Sequence, residues 1–299
     1  MPASNAVRLV PGVTPAPTAL VKDVSGLVSP PDICMRIFEL LQSPDSSARD
    51  VGDVIMRDAN LTARLLKIVN SPFYNFPRRI DTVSRAIAVV GTRDLYNLVV
   101  AVSAVRTFSN LATDLVSMDT FWRHSLFTAL AARDLAQHCQ VLHPERLFVA
   151  GMLHDLGSLV LYHRLPELSR DLLLVAGGDE GRLYEAELDG LGFGHPELGG
   201  LLLELWNIPD SLQSAVRHHH RPEAADTENR LEAAILHVSE SLANQSGVGG
   251  FCEDAAQDTA LSPRIWALLD LDADEVDIEA MTERAGIELT ETAGLVLQR

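Results

Sequence analysis

Apolar side chains recur at steps of three and four residues along most of this chain, from about residue 27 to residue 245. Such spacing places them on one face of an α-helix. In residues 61–70, LTARLLKIVN, this face carries Leu61, Leu65 and Val69. No stretch sustains the period of two that is typical of a half-buried strand. The pattern therefore predicts an all-α fold.

Residues that favour helix ends divide this pattern into separate helices. The predicted helices that the spacing marks most clearly cover residues 33–41, 48–56, 61–70, 83–90, 93–108 and 121–139. Residues 43–46, SPDS, are predicted to end the first and cap the second. Thr82 is predicted to cap the helix at 83, and Gly91 to end it in the conformation that glycine favours. Asp119 and Thr120 are predicted to open the helix at 121.

Changes in composition divide the chain into three parts. Residues 1–24 are rich in proline and poor in large apolar side chains, which predicts a mobile tail. Residues 25–245 are predicted to form one helical domain with two lobes, 25–115 and 116–245. Residues 246–299 begin with a small, acidic linker and continue as a helical appendage of two helices. Three apolar side chains are expected to dock this appendage on the domain: Ile265, Trp266 and Leu269.

The composition is that of a globular protein, with 47% hydrophobic and 22% charged residues in a chain of 299. The two most apolar stretches, residues 87–105 and 147–162, are each interrupted by charged or polar residues, so neither is expected to span a membrane. The N-terminus lacks the features of a signal peptide. The three cysteines have neither metal-type nor redox-type spacing. We therefore expect the protein to lie in the reducing cytoplasm.

Charge argues against two classes of partner. The formal net charge of −17 repels the phosphates of nucleic acids and of anionic lipids. Arg78 and Arg79 form the only adjacent basic pair, which is too little for a surface that follows a phosphate backbone. We therefore expect neither nucleic acid nor membrane as a partner.

Histidines and carboxylates inside apolar helical segments point to a metal site. In the run GMLHDLG, residues 151–157, His154 and Asp155 lie where every neighbour has the pattern of a core residue. Burying such groups costs roughly several kcal/mol unless they are paired or bind a metal. The other candidates of this kind are His124, His195, the histidines at 218–220 and Glu240. Nitrogen and oxygen ligands of this type suit iron, manganese or zinc.

The spacing of the candidates supports one convergent site. Each lies on, or at the end of, a different predicted helix, as in metal sites of helix bundles. Adjacent residues point about 100° apart on a helix, so His154 and Asp155 serve either two ions, or one ion at a helix distortion.

Simpler interpretations stay open for the individual residues. Taken alone, His124 is typical of a hydrogen-bonded core histidine. The triple histidine is also typical of a solvated turn, and Glu240 is also typical of a surface glutamate. Four further histidines near helix ends or polar neighbours are interpreted as surface or structural residues: His138, His143, His163 and His237. Trp206 is interpreted as core.

Six stretches together resemble the HDOD domain, the HD-related output domain of bacterial signalling proteins. They are residues 55–91, which contain LTARLLKIVNSPFY, and then FWRHSLFTA, LFVAGMLHDLGSLVL, GFGHPELGGLLLELWNIP, AVRHHHRP and ILHVSESLA, in that order. The resemblance spans about residues 25–245. It implies an all-helical relative of the metal-dependent HD and HD-GYP phosphohydrolases, with an N-terminal helical lobe followed by an HD-like lobe.

The resemblance also implies a ligand set. The metal-binding positions of the superfamily fall on His124, His154, Asp155, His195, His219, His220 and Glu240. Glu240 replaces an aspartate with a longer carboxylate. Ser158 stands where HD-GYP proteins carry lysine, and HHHRPEAAD replaces the GYP loop, which removes groups that neutralise a substrate phosphate. Arg221 is the one remaining candidate for a phosphate clamp.

Two functional hypotheses follow from the resemblance. In the first, the chain is a regulatory domain, not an enzyme, that binds a signalling protein and keeps one or two ions (iron, manganese or zinc) as a structural or vestigial site. In the second, it is a metal-dependent phosphohydrolase or phosphodiesterase acting on a nucleotide or cyclic dinucleotide. There, Asp155 would bridge two ions, with His124, His154 and Glu240 on the first and the remaining histidines on the second.

Overall fold

Helices make up all the regular secondary structure of the part of the chain that the structure describes. The structure is a computed structural model, and it describes residues 15–24, 32–71, 74, 76–108, 114–248, 261–273 and 276–297. Within these residues there are sixteen α-helices, one short 3-10 helix and no strand. The prediction of an all-α fold is confirmed.

Six helices form the N-terminal part: α1 (Pro17–Val24), α2 (Asp32–Gln42), α3 (Ala48–Ile55), α4 (Ala59–Val69), α5 (Val83–Val90) and α6 (Thr92–Phe108). Thr82 caps α5, since its side chain accepts a hydrogen bond from the amide of Arg85 at 3.2 Å. Gly91 ends this helix with φ +98°, a value that side chains disfavour. Both predictions for α5 are confirmed. The cap of α3 is Ser47, one residue beyond the predicted stretch, because it forms a capping box with Asp50.

Helix α1 corrects the prediction of a mobile tail over residues 1–24. Leu20, Val21 and Val24 are buried, and α1 packs against two helices of the later part, α9 (Leu156–Arg164) and α12 (His195–Leu205). Four prolines suggested a tail, yet Pro17 occupies the first turn of the helix, where proline is tolerated. Residues 1–14 lie outside the described residues, and the domain boundaries drawn from composition remain predictions.

The later part begins with the longest helix of the described chain, α7 (Met118–His138), and continues through eight more elements. They are α8 (Glu145–Leu153), α9, α10 (Pro166–Ala176), α11 (Glu180–Leu191), α12, α13 (Asp210–His218), a 3-10 turn (Pro222–Ala224) and α14 (Arg230–Gln245). Ser117, not Asp119 or Thr120, caps α7, because its hydroxyl accepts from the amide of Thr120 at 3.4 Å.

Helix α7 is the centre of the core. It packs against α8, α14 and the C-terminal helix α16 (Ile278–Val296), and most of its side chains are buried. Helix α6 is also buried along most of its length and packs against α8. Trp206 lies in the core with its ring 5.9 Å from that of Phe108, as predicted.

The two C-terminal helices pack on the main body. Ile265 and Leu269 of α15 (Pro263–Leu269) are buried and Trp266 is partly buried, while α15 contacts α14. Helix α16 lies along α7, where an ion pair joins Arg133 to Glu288 at 2.7 Å. The two predicted helices are therefore present, whereas most of the acidic linker, residues 249–260, lies outside the described residues.

No single helix in the described ranges is both long and apolar enough to cross a membrane. The pair α5 and α6 passes that test only when taken together, and it bends by 114° at Gly91.

Two glycines bring the helices of the later part unusually close together. A Cβ on Gly151 of α8 would lie 2.6 Å from the backbone nitrogen of Ala129 on α7. A Cβ on Gly157 of α9 would lie 2.7 Å from the backbone nitrogen of Gly199, and closer still to the carbonyl oxygen of His195. Only glycine fits at these crossings, and they flank His154 and Asp155 on both sides.

We expect Gly157→Ala to destabilise the protein by about 3 kcal/mol or more, because the added methyl group meets backbone that cannot move aside. Gly286→Ala on α16 is the matched control, since its Cβ meets no atom within 4 Å. That change should stabilise the protein by up to about 1 kcal/mol. Urea unfolding of the three proteins measures both effects. Equal midpoints for Gly157→Ala and the parent would contradict the close approach of α9 and α12.

Candidate metal centre

Seven side chains named from the sequence converge in the interior of the later part. They are His124 in the middle of α7, His154 and Asp155 between α8 and α9, His195 at the start of α12, His219 and His220 after α13, and Glu240 in the middle of α14. Their side chains are between 0% and 3% exposed, except that of His220 at 9%. The structure thus brings together residues that lie up to 116 positions apart in the chain, from His124 to Glu240.

His154 and Asp155 occupy a break between two helices. Helix α8 ends at Leu153 and α9 begins at Leu156. His154 keeps a helical backbone, whereas Asp155 departs from it at φ −97° and ψ 8°. Their side chains consequently face the same cluster, and Nε2 of His154 lies 3.1 Å from Oδ2 of Asp155. The helix is thus distorted at Asp155.

Asp155 lies at the centre of the cluster. Besides His154, its carboxylate faces Nε2 of His124 at 3.8 Å and Nε2 of His195 at 3.5 Å. Three imidazoles from three separate segments therefore surround one carboxylate.

Glu240 lies with the histidines that follow α13. Its two oxygens are 3.7 Å from Nε2 of His219 and 3.7 Å from Nε2 of His220. The sequence-based division placed Glu240 with His124 and His154, whereas these distances place it beside His219 and His220. Nε2 of His220 also lies 3.1 Å from Nε2 of His195.

Three of the histidines are oriented from behind by hydrogen bonds of Nδ1. In His154 this nitrogen lies 2.7 Å from the carbonyl oxygen of Gly151, and in His219 it lies 2.7 Å from that of Val216. In His195 it lies 2.7 Å from a carboxylate oxygen of Glu187. A neutral imidazole that donates from Nδ1 carries its lone pair on Nε2. In the neutral form, all three therefore present a lone pair to the cluster.

The cluster consequently contains acceptors without matching donors. Seven of its buried atoms have no hydrogen-bond partner of acceptable geometry in the described part of the chain: both ring nitrogens of His124, Nε2 of His154, both oxygens of Asp155, Nε2 of His219 and Oε1 of Glu240. A buried acceptor left unsatisfied costs about 1–3 kcal/mol. Protons or a metal cation would satisfy such a set.

The geometry fits a metal cation. Three overlapping groups of three ligand atoms lie within 4.8 Å of one another: His124 with His154 and Asp155, His195 with His219 and His220, and Asp155 with His219 and Glu240. Asp155 and His219 are each shared by two groups. Mixed nitrogen and oxygen ligands suit iron, manganese or zinc. The Nδ1 hydrogen bonds are those that metal-binding histidines usually make.

Burial and mutual charge divide the cluster into charged and neutral groups. Burial lowers the pKa of His124 to about 4 and raises that of Glu240 to about 7. Burial also disfavours the charged form of His195, but Glu187 and Asp155 outweigh it and raise its pKa to about 10. For Asp155 the effect of burial is outweighed by the surrounding histidines, led by His154, which keep its pKa well below its usual range.

Neither Ser158 nor Arg221, the two positions that the sequence links to phosphate binding, places a cation in the cluster. Ser158 is buried near the cluster, in the place where lysine would stand. Arg221 is turned outward, since it pairs with Glu185 at 3.2 Å and lies over the ring of Tyr184 at 5.3 Å. Tyr184 in turn stacks on His220 at 4.8 Å. Arg221 and Tyr184 therefore cover the most exposed histidine of the cluster.

Two other histidines near the cluster have structural roles. Nδ1 of His218 lies 2.9 Å from the carbonyl oxygen of Ser214, one turn earlier on α13. Nδ1 of His237 lies 2.7 Å from the carbonyl oxygen of His219 and so holds the backbone of that residue. The structural interpretation of His237 is confirmed.

Sequence reasoning missed the buried carboxylates of α11. Glu180 and Glu187 are both buried, and Glu187 bonds directly to His195. Their stretch, EGRLYEAELDGL, has the composition of an exposed acidic helix, so no signal in it separates these two from the exposed Glu185. Only the packing of α11 beside the start of α12 identifies them.

Comparisons with known proteins agree with this fold. A family model of the HDOD domain matches residues 27–222. An uncharacterized protein of Treponema pallidum (strain Nichols) is 27% identical over 217 residues, which cover 71% of this chain. The match covers 41% of that protein, so the chain spans about two fifths of the length of this curated relative.

Two solved structures share the fold. An HDOD domain protein of unknown function from Geobacter sulfurreducens superposes with a TM-score of 0.71 at 23% identity, covering 94% of this chain and 98% of that one. A protein from Marinobacter aquaeolei VT8, described as a candidate for signal transduction, superposes with a TM-score of 0.70 at 24% identity. That match covers 93% of this chain and 61% of the other.

We expect the contribution of His124 to the stability of the metal-free protein to be lost as the pH falls from about 6.5 to about 4. In this window the unfolded chain protonates His124, while the folded protein, with its pKa of about 4, does not. The contribution of His124 is complete above pH 6.5 and amounts to about 3 kcal/mol. Urea unfolding in a chelator at several pH values measures it. His124→Gln should show a shallower loss of stability over this window than the parent, and identical losses would contradict the assignment.

Proposed function

The chain belongs to the HDOD family, and on that premise we propose that it is a cytoplasmic signal-transduction protein that acts by binding a partner protein. We further propose that the cluster around Asp155 holds one or two divalent ions (iron, manganese or zinc) that stabilise the fold. The single observation that carries the proposal is that the cluster is closed to solvent: its ligand-type side chains are buried under packed helices.

Closure argues for a structural ion and against turnover. A substrate has to reach the reacting atoms, and an ion that activates water keeps an open position for it. Here the least buried member, His220, is covered by the ring of Tyr184. A buried ion in such a place contributes to stability, since it binds the folded state and not the unfolded chain.

The residues divide between two ions, and Asp155 lies where it would help to hold both. His124 and His154 with Asp155 would hold one, and His195 and His220 with His219 the other, with Glu240 facing the second group. When bound, such ions supply Lewis acidity and lower the pKa of coordinated water. In the proposed role the side chains direct their lone pairs toward the ion, exclude water from it and join five helical segments.

The charge of the chain supports a protein partner. A net charge of −17 disfavours nucleic acid and anionic membrane surfaces. The name of the Marinobacter protein concerns signal transduction, which is consistent with a partner of the signalling type for this chain.

A phosphohydrolase is the second candidate. The observation in its favour is the convergence of six ligand-type residues around one central aspartate. In that case Asp155 would be the catalytic residue. Ser158 supplies no charge for a substrate phosphate, and Arg221 would first have to leave Glu185.

Protein purified without a histidine tag, after growth in iron, manganese and zinc, should contain at least about one ion per chain by elemental analysis. A chelator should then lower its melting temperature by about 5–10 °C, because an ion present at 100-fold its Kd stabilises by about 2.7 kcal/mol. Less than about a tenth of an ion per chain, with a melting temperature unchanged by the chelator, would refute the metal site.

Asp155→Asn tests which residues hold the ion. This change removes the central negative charge at nearly constant volume, so the variant should lose metal and no longer respond to the chelator. Asp189→Asn, an exposed position on α11, is the matched control and should behave as the parent does. Retention of the full metal content by Asp155→Asn would place the ion elsewhere.

Turnover assays distinguish the two candidate functions. The metal-loaded protein should not hydrolyse cyclic dinucleotides, nucleotides or generic phosphodiesters above the rate of a matched Asp155→Asn preparation, since the site is closed and lacks a cation for phosphate. Hydrolysis that disappears in Asp155→Asn, while circular dichroism shows an intact fold, would establish the phosphohydrolase and overturn our preference.

A further inference from the structure

A buried carboxylate outside the ligand set lies directly behind His195. Glu187 of α11 is 1% exposed. One of its oxygens, Oε2, accepts two hydrogen bonds from the same residue, from the backbone amide of His195 at 2.8 Å and from its ring Nδ1 at 2.7 Å. Both the position and the ring of His195 are therefore fixed by one carboxylate.

Glu187 touches the edge of the ring that faces away from the cluster. The opposite ring nitrogen, Nε2, lies 3.5 Å from Oδ1 of Asp155 and 3.1 Å from Nε2 of His220. An ion shared by these groups would meet Nε2 and not Glu187. The carboxylate thus acts through His195, as a positioning residue.

His195 differs in this respect from the two other oriented histidines. His154 and His219 have backbone carbonyl oxygens at Nδ1, whereas His195 has a charged carboxylate. A carboxylate behind an imidazole raises the basicity of the distal nitrogen more than a neutral carbonyl does, and such partners set metal affinity. His195 is consequently the strongest donor among the three.

The chain around Glu187 is shaped for this contact. Gly194 precedes His195, and a Cβ at this position would lie 3.0 Å from Oε2 of Glu187 and 2.7 Å from the ring of Tyr184. The absence of a side chain at Gly194 lets α11 approach the start of α12 closely enough for the hydrogen bonds to form.

We propose that Glu187 is a positioning residue that fixes the Nδ1-protonated form of His195 and thereby sets the affinity of the ion shared by His195, His219 and His220. The proposal rests on the metal site proposed above. It extends that site by a second layer, in which a carboxylate acts on one ligand only.

The test is the affinity of the full-length protein for Zn²⁺, measured by competition with a chromophoric chelator. Glu187→Gln keeps the shape and removes the charge, and it should lower the affinity about 10- to 100-fold. Asp189→Asn is the matched control, because it also replaces a carboxylate by an amide, at an exposed position of the same helix. It should bind Zn²⁺ as tightly as the parent does.

A double-mutant cycle separates positioning from general damage to the fold. In a His195→Ala background, Glu187→Gln should have no further effect beyond about twofold, because the residue through which it acts is gone. A full additional loss in that background would overturn the proposal. So would equal affinities of Glu187→Gln and the parent.

A measurement on the unaltered protein covers the case in which Glu187→Gln fails to fold. Nitrogen-15 NMR of the Zn²⁺-loaded parent should show His195 protonated at Nδ1 and coordinated through Nε2; coordination through Nδ1 would overturn the proposal. A parent that binds no Zn²⁺ refutes the metal site itself, whereas a parent that binds Zn²⁺ with the same affinity as Glu187→Gln refutes only the role of Glu187.

Discussion

The convergence of buried lone pairs on Asp155 is the constraint around which the later part of this protein is organised. Imidazole nitrogens and carboxylate oxygens from five helical segments face one another in the interior, and several have no hydrogen-bond donor. Acceptors in such a place repel one another and have lost their water, so the arrangement is stable only if cations, either protons or metal, lie among them. The hydrogen bonds from Nδ1 to Gly151, Val216 and Glu187 hold the rings in this orientation from behind.

The surrounding fold is built to keep these groups at short range. Gly151 lets α8 touch the backbone of α7, and Gly157 lets α9 touch the backbone of α12. Between these two crossings the helix breaks at Asp155, which turns two adjacent residues toward one point. Helix packing, the helix break and the site are therefore parts of a single arrangement, and the N-terminal helix α1 covers α9 and α12 from outside.

The same closure that makes an ion useful for stability makes catalysis difficult. Charge on a substrate phosphate needs a cation close by, and the nearest relevant positions offer Ser158 and an Arg221 that is held by Glu185. In the proposed role, the domain contacts its partner through its outer helical surfaces, whose form depends on a well-fixed interior. Glu187 shows that this interior extends one layer beyond the residues that face the cluster.

The sequence by itself determined the helical class, the helix ends at Thr82 and Gly91, the core position of Trp206 and the seven residues that converge, because spacing, capping chemistry and polar residues in apolar runs are local signals. It was wrong about residues 17–24, whose prolines suggested a tail, and it did not place Glu240 beside His219 and His220. It was silent about Glu187. Only the tertiary structure decided these points, because burial of a glutamate in an acidic helix, the docking of α1 and the reach of a side chain across helices depend on contacts between segments far apart in the chain.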